Sequence, residues 1–329
     1  MKPTIFAVVG CGLIGCKRIA ALPAEAILKY VFDIVPANAE RAAQLVDYPV
    51  AIASSLRSIL DDNSVDVIVI ATSHHELVPI ALQAVKARHH VLLEKPGGMS
   101  YDDIERLRTV VGLADFKVHV GYNHRFHPSL LEAKAIIDSN RFGKLLWMRG
   151  RYGHGGRIGY EKEWRANRSI SGGGEFVDQG SHLIDICRHF GGEMELAFYE
   201  TQTSFWETDV EDNAFFALRP KTGGFAWMHA SWTEWKNMFS FEVTLERAKI
   251  DISGLGGSYG IESLTLYEMQ PGMGPPSSST KTWDQSDASW SLELEDLIAH
   301  INNPKHVPVG TTLDGAVAVW QIINKAYTR

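Results

Sequence analysis

The sequence predicts an α/β chain: a doubly wound parallel sheet, then an α+β domain with a large, mostly antiparallel open sheet. Strands alternate with helices over about 120 N-terminal residues, as in parallel sheets with right-handed crossovers. A glycine turn directly follows the first strand. From Glu195 to Tyr267 the chain instead has successive strands separated by short turns, which indicates antiparallel pairing.

The first domain is predicted over residues 1–123. Its strands are expected in TIFAVV, LKYVFD, VDVIVIAT, HHVLLEKP and KVHVGYN. Helices are expected after the glycine turn, over 36–46, after Ser54 or Ser55, over 76–88, and from Ser100 to about Leu113. Groups at the carboxyl ends of parallel strands line the ligand crevice of such a sheet. These groups are Thr72, Ser73, Glu94, Lys95 and Asn123.

The glycine turn has the spacing Gly10-x-Gly12-x-x-Gly15 between a strand and a helix, and the next strand ends in Asp33. In a βαβ unit this arrangement admits a pyrophosphate to the helix N-terminus and places a carboxylate at the ribose hydroxyls. Asp33 would repel a 2′-phosphate and no Arg follows it immediately. Arg41 is a full helix away. NAD is therefore favoured over NADP.

The second domain is predicted over residues 124–329. A helix over 128–138, a strand in GKLLWMRGRY and a Gly-rich, charged stretch from Gly153 to Arg168 precede the strand region. Residues 271–280 are predicted to be a loop, and helices are expected over 290–302 and 312–327, the last packing back on the first domain. The open face of the sheet could pair with a second subunit as a homodimer or homotetramer. Candidates to fill that interface, or the core, are Trp206, Trp227, Trp232 and Trp235.

Composition excludes several classes of protein. The net charge of −7 over 329 residues opposes a nucleic-acid surface, which needs clustered positive charge. Three cysteines without a C-x-x-C pair support neither a disulfide framework nor a thiolate metal site and favour a cytoplasmic location. The apolar run Ile5–Val9 is too short for a signal core, and no run approaches the roughly 20 residues of a membrane span.

The stretch GGGEFVDQGSHLIDICRHF, residues 172–190, places ionisable groups on one predicted helix. Asp178 and His182 are four residues apart and Asp185 continues the same face. Together with Lys95 in one cleft they would form a proton-transfer apparatus. Each has a structural alternative. Lys95 could be a surface lysine and His182 a hydrogen-bonded core histidine. Asp178 could be an acidic residue that stabilises a helix N-terminus.

These motifs resemble the Gfo/Idh/MocA oxidoreductases. The resemblance spans the chain, through GCGLIG, ATSHH, HVLLEKP, GYNHRFHP, the pair Trp164-Arg165 and GGGEFVDQGSHLIDI. It implies an N-terminal Rossmann domain, a substrate-binding and oligomerisation domain, and a cis peptide before Pro96. Two positions depart from the family pattern: Ser73 replaces a proline and Leu77 a histidine, which affects the nicotinamide-side loop.

The resemblance also assigns site residues. Lys95, Asp178 and His182 are the implied catalytic groups. The substrate is implied to contact these three together with Arg125, Trp164 and Arg165. The expected cofactor-binding residues are Gly10, Cys11, Gly12, Leu13, Ile14, Gly15, Asp33, Thr72, Ser73, His75, Glu94, Lys95 and Asn123. No metal is expected, because His124, His127, His154 and His300 lack ligand-like spacing.

The leading hypothesis is an NAD-dependent oxidoreductase that transfers hydride between the nicotinamide and a secondary alcohol or ketone of a sugar, sugar nucleotide or cyclitol. In such a reaction a base takes the hydroxyl proton while the cofactor accepts hydride. An imidazole, with an ordinary pKa near 6.5, suits that role. The alternatives are an NAD-dependent glycoside hydrolase, in which the cofactor is reduced only transiently, and a non-catalytic NAD-binding sensor.

Overall fold

The computed structural model describes residues 2–112 and 116–328. Backbone contacts divide the chain into two compact units. The first unit consists of Met1–Asn123 and Trp290–Trp320, and the second of His124–Ser289 and Gln321–Arg329. The chain therefore returns to the first unit after completing most of the second.

The strands in chain order are β1 (Thr4–Val9), β2 (Ala26–Phe32), β3 (Ala51–Ile52), β4 (Val67–Ile70), β5 (His90–Glu94), β6 (Val118–Gly121), β7 (Leu145–Gly153), β8 (Met194–Gln202), β9 (Asn213–Pro220), β10 (Phe225–Ser231), β11 (Met238–Leu245), β12 (Ala248–Ser253), β13 (Glu262–Glu268), β14 (Ser277–Trp283) and β15 (Thr311–Thr312). The α-helices are α1 (Leu13–Ala20), α2 (Pro36–Ala43), α3 (Leu56–Leu60), α4 (His74–Lys86), α5 (Tyr101–Val111), α6 (Pro128–Asp138), α7 (Arg168–Ser171), α8 (Glu175–Gly191), α9 (Ser289–Asn302) and α10 (Leu313–Tyr327). Short 3-10 helices cover Asn123–Phe126, Tyr160–Lys162 and Trp164–Ala166.

In the described part of the first unit, the sheet has the order β15-β6-β5-β4-β1-β2-β3. Its strands pair in parallel except for β15, which runs antiparallel to β6. The central strand β4, VIVI, is buried throughout, as expected for a strand covered on both faces. The predicted doubly wound sheet is confirmed. The predicted end of α5 at Leu113 lies outside the described residues.

The sheet of the second unit has the order β14-β13-β12-β11-β7-β10-β9-β8. Its neighbouring strands are antiparallel except for β7 and β10, which pair in parallel. Alternate residues of β11, such as Phe239 and Phe241, are buried, and helices α6 and α8 contact this sheet. The predicted large and mostly antiparallel sheet is confirmed.

One predicted loop is wrong in part. Residues Ser277–Trp283 form the edge strand β14 and pair with β13, where the hydroxyls of Thr265 and Thr280 lie 2.9 Å apart. Six of the seven residues are exposed, so the polar and apolar alternation that identifies a half-buried strand is absent from this segment. Pairing with β13 decides its conformation.

The tryptophans proposed for an interface occupy different surroundings. Trp232 is completely buried beside Tyr160, so core packing, one of the two alternatives for the tryptophans, holds for this residue. Trp227 is 42% exposed and stacks on Phe198, with ring centroids 5.4 Å apart. Trp232 therefore packs in the core of this unit, whereas Trp227 packs against Phe198 and keeps part of its ring in solvent.

Candidate active site

The glycine turn connects β1 to α1 in the first unit. Gly10 has φ +89°, and a Cβ there would lie 2.6 Å from the Ala71 carbonyl oxygen. A Cβ on Gly15 would lie 1.9 Å from the Gly10 carbonyl oxygen. Among the described atoms, none lies within 4 Å of a Cβ built on Gly12. The turn is thus tight at its two ends and open above Gly12, which fits a pyrophosphate approaching the start of α1.

Asp33 follows the last residue of β2 and bonds to the glycine turn. Its Oδ2 accepts the Cys11 backbone N–H at 2.7 Å, and its Oδ1 accepts the Val35 N–H at 2.8 Å. The carboxylate is therefore held beside the turn, where a ribose hydroxyl could donate to it.

Arg41 is closer to this region than its sequence distance indicates. Its Nη2 donates to the Cys11 carbonyl oxygen at 3.3 Å and to Asn38 Oδ1 at 3.1 Å. The long side chain returns along α2 to the glycine turn, so the expectation that Arg41 is remote is wrong. Arg41 bonds to Asn38 and to a backbone carbonyl, so the Asp33 carboxylate remains the acidic group beside the glycine turn.

The Cys11 thiol lies within the glycine turn and is buried. Burial, reinforced by the neighbouring Asp33 carboxylate, raises its pKa to about 12. The thiol thus stays protonated at neutral pH, and its Sγ lies 3.5 Å from the Phe32 carbonyl oxygen. It packs in the turn and is not a nucleophile.

Thr72 and Ser73 connect β4 to α4, where the family pattern is broken. The Ser73 hydroxyl lies 3.2 Å from His75 Nδ1. Leu77, which occupies a position where a histidine is common, is completely buried. The segment therefore contains a serine and histidine within hydrogen-bond distance and, one turn into α4, a buried leucine.

Lys95 follows β5 and is partly buried. Its backbone N–H donates to Glu94 Oε2 at 3.3 Å, and the Lys95–Pro96 peptide is cis, as the resemblance implies. The Pro96 carbonyl oxygen accepts the Trp320 indole N–H at 2.8 Å. Asn123, the last residue of this part of the unit, is buried at the start of a 3-10 helix.

Helix α8 carries the acidic and imidazole groups of the second unit. Asp178 and His182 are one turn apart and 8% and 5% exposed. Asp185, one turn further on, accepts from Arg125 Nε and Nη2 at 2.7 Å each. The Arg125 guanidinium therefore makes a bidentate bond to α8, and its predicted contact with a substrate stays a prediction.

The predicted pair Trp164 and Arg165 lies near Asp178. Arg165 Nε is 3.4 Å from Asp178 Oδ2, and the guanidinium carbon of Arg165 lies 4.5 Å from the centre of the Trp164 ring. The structure thus brings three of the predicted substrate residues together within one unit.

Three further residues belong to this cluster, and the two tyrosines among them carried no distinctive sequence signal. The rings of His124 and His182 stack at 3.8 Å with an interplanar angle of 25°. Tyr152 meets His124 edge-on at 5.1 Å, and Tyr259 lies 5.1 Å from Tyr152. Of these, only His124 could have been found, because it directly follows Asn123 at the end of a predicted strand.

The two tyrosines are protonated groups. Burial is the main reason that the pKa of Tyr152 lies well above its ordinary value, with Tyr259 and Asp178 adding to it. Burial also raises the pKa of Tyr259 to about 12. Both hydroxyls therefore stay protonated at neutral pH.

Glu211 binds the N-terminus of α8. Its Oε1 accepts the backbone N–H groups of Gly174 at 3.1 Å and Phe176 at 3.3 Å, and the Tyr327 hydroxyl at 2.6 Å. The carboxylate satisfies donors that a helix start leaves unpaired and complements the helix dipole. The helix that carries Asp178 and His182 is thus fixed at its first turn by a residue from another loop.

Two models of one protein family match this chain. A model described as an oxidoreductase family with an NAD-binding Rossmann fold matches residues 5–122. A model of the GFO/IDH/MocA C-terminal domain matches residues 130–251. Both halves of the resemblance noted in the sequence are thereby confirmed.

Curated relatives share a lower identity over part of their length. A levoglucosan dehydrogenase from Pseudarthrobacter phenanthrenivorans is 28% identical over 61% of this chain and 52% of its own. An inositol 2-dehydrogenase from Saccharopolyspora erythraea is 30% identical over 66% of this chain and 63% of its own. The chain thus spans about half to two thirds of the length of these relatives.

Solved structures match over the whole chain. A levoglucosan dehydrogenase in complex with NADH and levoglucosan superposes with a TM-score of 0.85 at 21% identity, covering 99% of this chain and 96% of the other. The WlbA dehydrogenase from Bordetella pertussis, in complex with NADH and UDP-GlcNAcA, gives 0.82 at 21% identity over the same shares. These matches establish a shared fold. Among the residues described, none of the helices combines the length and apolar character needed to cross a bilayer, and no group of three or more potential ligands has an arrangement suited to a metal ion.

Proposed function

We propose that this chain, which belongs to the Gfo/Idh/MocA family of oxidoreductases, transfers hydride between NAD and a secondary alcohol or ketone of a sugar, sugar nucleotide or cyclitol. The observation that carries the proposal is the pair Asp178 and His182, buried one turn apart on α8 amid hydrogen-bonding side chains. The aromatic rings and hydroxyls of Tyr152 and Tyr259, which lie beside this pair, suit a polyhydroxylated ring. The names of the two curated relatives, levoglucosan and inositol dehydrogenases, support this substrate class.

The cofactor site is proposed to lie in the first unit. The open space above Gly12 and the carboxylate of Asp33 fit a pyrophosphate and the ribose hydroxyls. Ser73, His75 and Asn123 are the proposed neighbours of the remainder of the cofactor. NAD, when bound, supplies the carbon that accepts or donates hydride. Asp33 makes NAD the preferred form over NADP.

The proton is proposed to move through His182. Its imidazole takes the hydroxyl proton of the alcohol during oxidation and returns it during reduction. Asp178, paired with Arg165, orients the imidazole or binds a neighbouring hydroxyl. Lys95 is proposed to donate a hydrogen bond to the reacting oxygen as negative charge develops there. Trp164 and Arg165 are proposed to contact the substrate.

Substitution of the catalytic groups tests this proposal. Lys95→Ala and His182→Ala are each expected to lower kcat by about 10²- to 10⁴-fold, with NAD affinity measured by calorimetry unchanged. A panel of anhydrosugars, inositols and sugar nucleotides, followed by the absorbance of reduced nicotinamide, identifies the substrate. A fall in NAD affinity parallel to that in kcat would indicate damaged folding and would count against the assignment.

The same panel separates the alternatives. A glycoside hydrolase that reduces NAD only transiently would release sugar without a net change in nicotinamide absorbance. A sensor would bind NAD and turn over none of the substrates. Net reduction of NAD by a polyol or sugar supports the dehydrogenase alone.

The exposed face of the second sheet is the proposed contact between subunits of a homodimer or homotetramer. Phe198 and Trp227 stack there while remaining 41% and 42% exposed, and Trp147 on the neighbouring strand β7 is 38% exposed. Light scattering after size exclusion is expected to give a multiple of the monomer mass. Trp227→Arg is expected to shift that mass towards the monomer, because a charge would be buried in the contact.

A reducing, cytoplasmic compartment is the proposed location. Cys11, Cys16 and Cys187 are free thiols, and Cys11 and Cys187 are buried. A chain with unpaired thiols in its core suits a compartment in which thiols stay reduced. Localisation of a fluorescent fusion tests this.

A further inference from the structure

We propose that Arg18 is a positioning residue for the reaction, because it holds the Glu94–Lys95 turn through a buried cluster with Glu94 and Glu293. The inference rests on the proposed role of Lys95. All of the residues involved belong to the first unit.

Arg18 lies on α1 and is completely buried. Its Nε donates to Glu94 Oε1 at 2.7 Å, and its Nη2 lies 2.6 Å from the same oxygen. Its Nη1 donates to Glu293 Oε2 at 2.6 Å. One guanidinium therefore joins the helix after the glycine turn, the end of β5, and α9.

The remaining surroundings fix the plane of the guanidinium. Its central carbon lies 4.5 Å from the centre of the Trp290 ring. On the neighbouring strand β6, where Gly121 is in register with Glu94, a Cβ on Gly121 would lie 2.4 Å from Arg18 Nη2 and 3.2 Å from Glu94 Oε1. Glycine at position 121 thus leaves the space that the ion pair occupies. Lysine could not reproduce this arrangement, because its ammonium lacks the planar fork that bridges two carboxylates.

Glu94 connects the buried cluster to the backbone of Lys95. One carboxylate oxygen of Glu94 is bound to Arg18, and the other accepts the backbone N–H of Lys95. The orientation of that carboxylate therefore determines the direction in which the chain leaves β5. A displacement of about 1 Å at a reacting group can cost about 10²-fold in rate, so this support bears on turnover.

Overall stability alone is a weaker explanation of the cluster. Removing a cation and two carboxylates from water carries a large desolvation penalty. Buried ion pairs replaced by apolar residues of similar volume often leave stability unchanged or raised. A buried ionic cluster immediately beside a proposed catalytic lysine is better explained by the orientation that charge-assisted hydrogen bonds to two carboxylates impose.

The test compares Arg18→Lys and Glu293→Gln with Arg57→Lys as the matched control. Arg57 lies on α3 of the same unit and pairs with Asp61 on the surface, where its side chain is 79% exposed. Arg18→Lys is expected to lower kcat about tenfold and Glu293→Gln about threefold. The affinity for NAD should stay within about threefold and the control should match the wild type.

A second readout needs no turnover. Lys95 in the protein without added substrate is labelled with an amine-selective acylating reagent, and the rate is followed by peptide mass spectrometry, with Lys86 on α4 as the internal reference. Arg18→Lys and Glu293→Gln are expected to change the Lys95 rate at least threefold relative to Lys86, because the lysine no longer leaves β5 in one direction. Arg57→Lys is expected to leave it unchanged.

A folded Arg18→Lys protein with unchanged kcat and an unchanged Lys95 rate overturns the proposal, as do equal losses of kcat and NAD affinity. If Arg18→Lys does not fold, Glu293→Gln decides, and behaviour identical to the control overturns the proposal. Retention of turnover by Lys95→Ala would instead refute the proposed function while leaving the labelling result to stand for Arg18.

Discussion

The two units hold their candidate site residues by different means. In the first unit the site is built by the backbone, through a turn that is tight at Gly10 and Gly15. Asp33 directly follows strand β2, and strand β5 ends at Glu94. In the second, the site is built by side chains packed around α8. The geometry of a site made of backbone can be predicted from local sequence. The geometry of a site made of packed side chains depends on partners from distant segments.

Substitution of a glycine in the turn is expected to have the largest effect on the backbone-built site. Gly15→Ala would place a Cβ 1.9 Å from a carbonyl oxygen, so we expect the turn to be displaced and NAD affinity to fall more than about 100-fold, with a loss of stability of about 2–4 kcal/mol. Gly12→Ala is the matched variant. Its Cβ has open space, so stability should change by less than about 1 kcal/mol while NAD binding weakens.

Calorimetric titration with NAD and urea unfolding separate the two effects. If Gly12→Ala binds NAD as well as the wild type, the open space above the turn is not where the cofactor passes, and the backbone-built site must be relocated.

The second unit contains a carboxylate whose pairing makes stability depend on pH. Burial alone would raise the pKa of Glu262, but bonds from His127 and the Ser129 N–H outweigh it and lower the pKa to about 2. A depressed pKa gives stability that is complete above the unfolded-state pKa and is lost as the pH falls towards the folded-state value. Glu262→Gln should therefore cost about 3 kcal/mol at pH 7.

Urea unfolding followed by tryptophan fluorescence checks this effect. The difference between the wild type and Glu262→Gln should narrow from about pH 4.5 and disappear near pH 2. A difference that is independent of pH would show that the loss comes from packing rather than from charge.

The stack of His124 on His182 tests whether packing alone orients the proposed base. His124→Ala removes the ring and should lower kcat about tenfold, equivalent to about 1.4 kcal/mol, because His182 gains rotational freedom. His124→Phe restores a flat ring and is expected to recover most of the rate. Steady-state kinetics with unchanged NAD affinity provides the measurement, and a failure of phenylalanine to rescue would assign chemistry to the His124 imidazole itself.

The bond from Tyr327 to Glu211 has the smallest expected effect. Burial and the Glu211 carboxylate raise the pKa of Tyr327 well above its ordinary value, so the hydroxyl remains a donor. Tyr327→Phe should lower stability by about 1–2 kcal/mol and kcat by a few-fold, since the start of α8 loosens. Tyr267→Phe, on the exposed side of the second sheet, is the control. Equal melting temperatures of the two variants would show that the Tyr327–Glu211 bond does not stabilise the start of α8.

The accuracy of the sequence predictions follows the same division. The parallel sheet, the glycine turn with Asp33, and α8 with Asp178 and His182 follow from local spacing, and the structure contains them. Arg41 was misplaced because a long side chain can fold back over a helix. The surroundings of Trp232 were left open because burial of an indole depends on its neighbours. The edge strand β14 was missed because its residues are polar on both faces.

The sequence by itself determined the family, the order of strands and helices and the type of cofactor, because glycine geometry and hydrophobic period are properties of adjacent residues. Tertiary structure decided which side chains support the candidate site. Arg18 meets Glu293 across 275 positions of the chain, and Tyr327 meets Glu211 across 116. Such contacts form only when packing brings separate elements together, and local spacing carries no information about them.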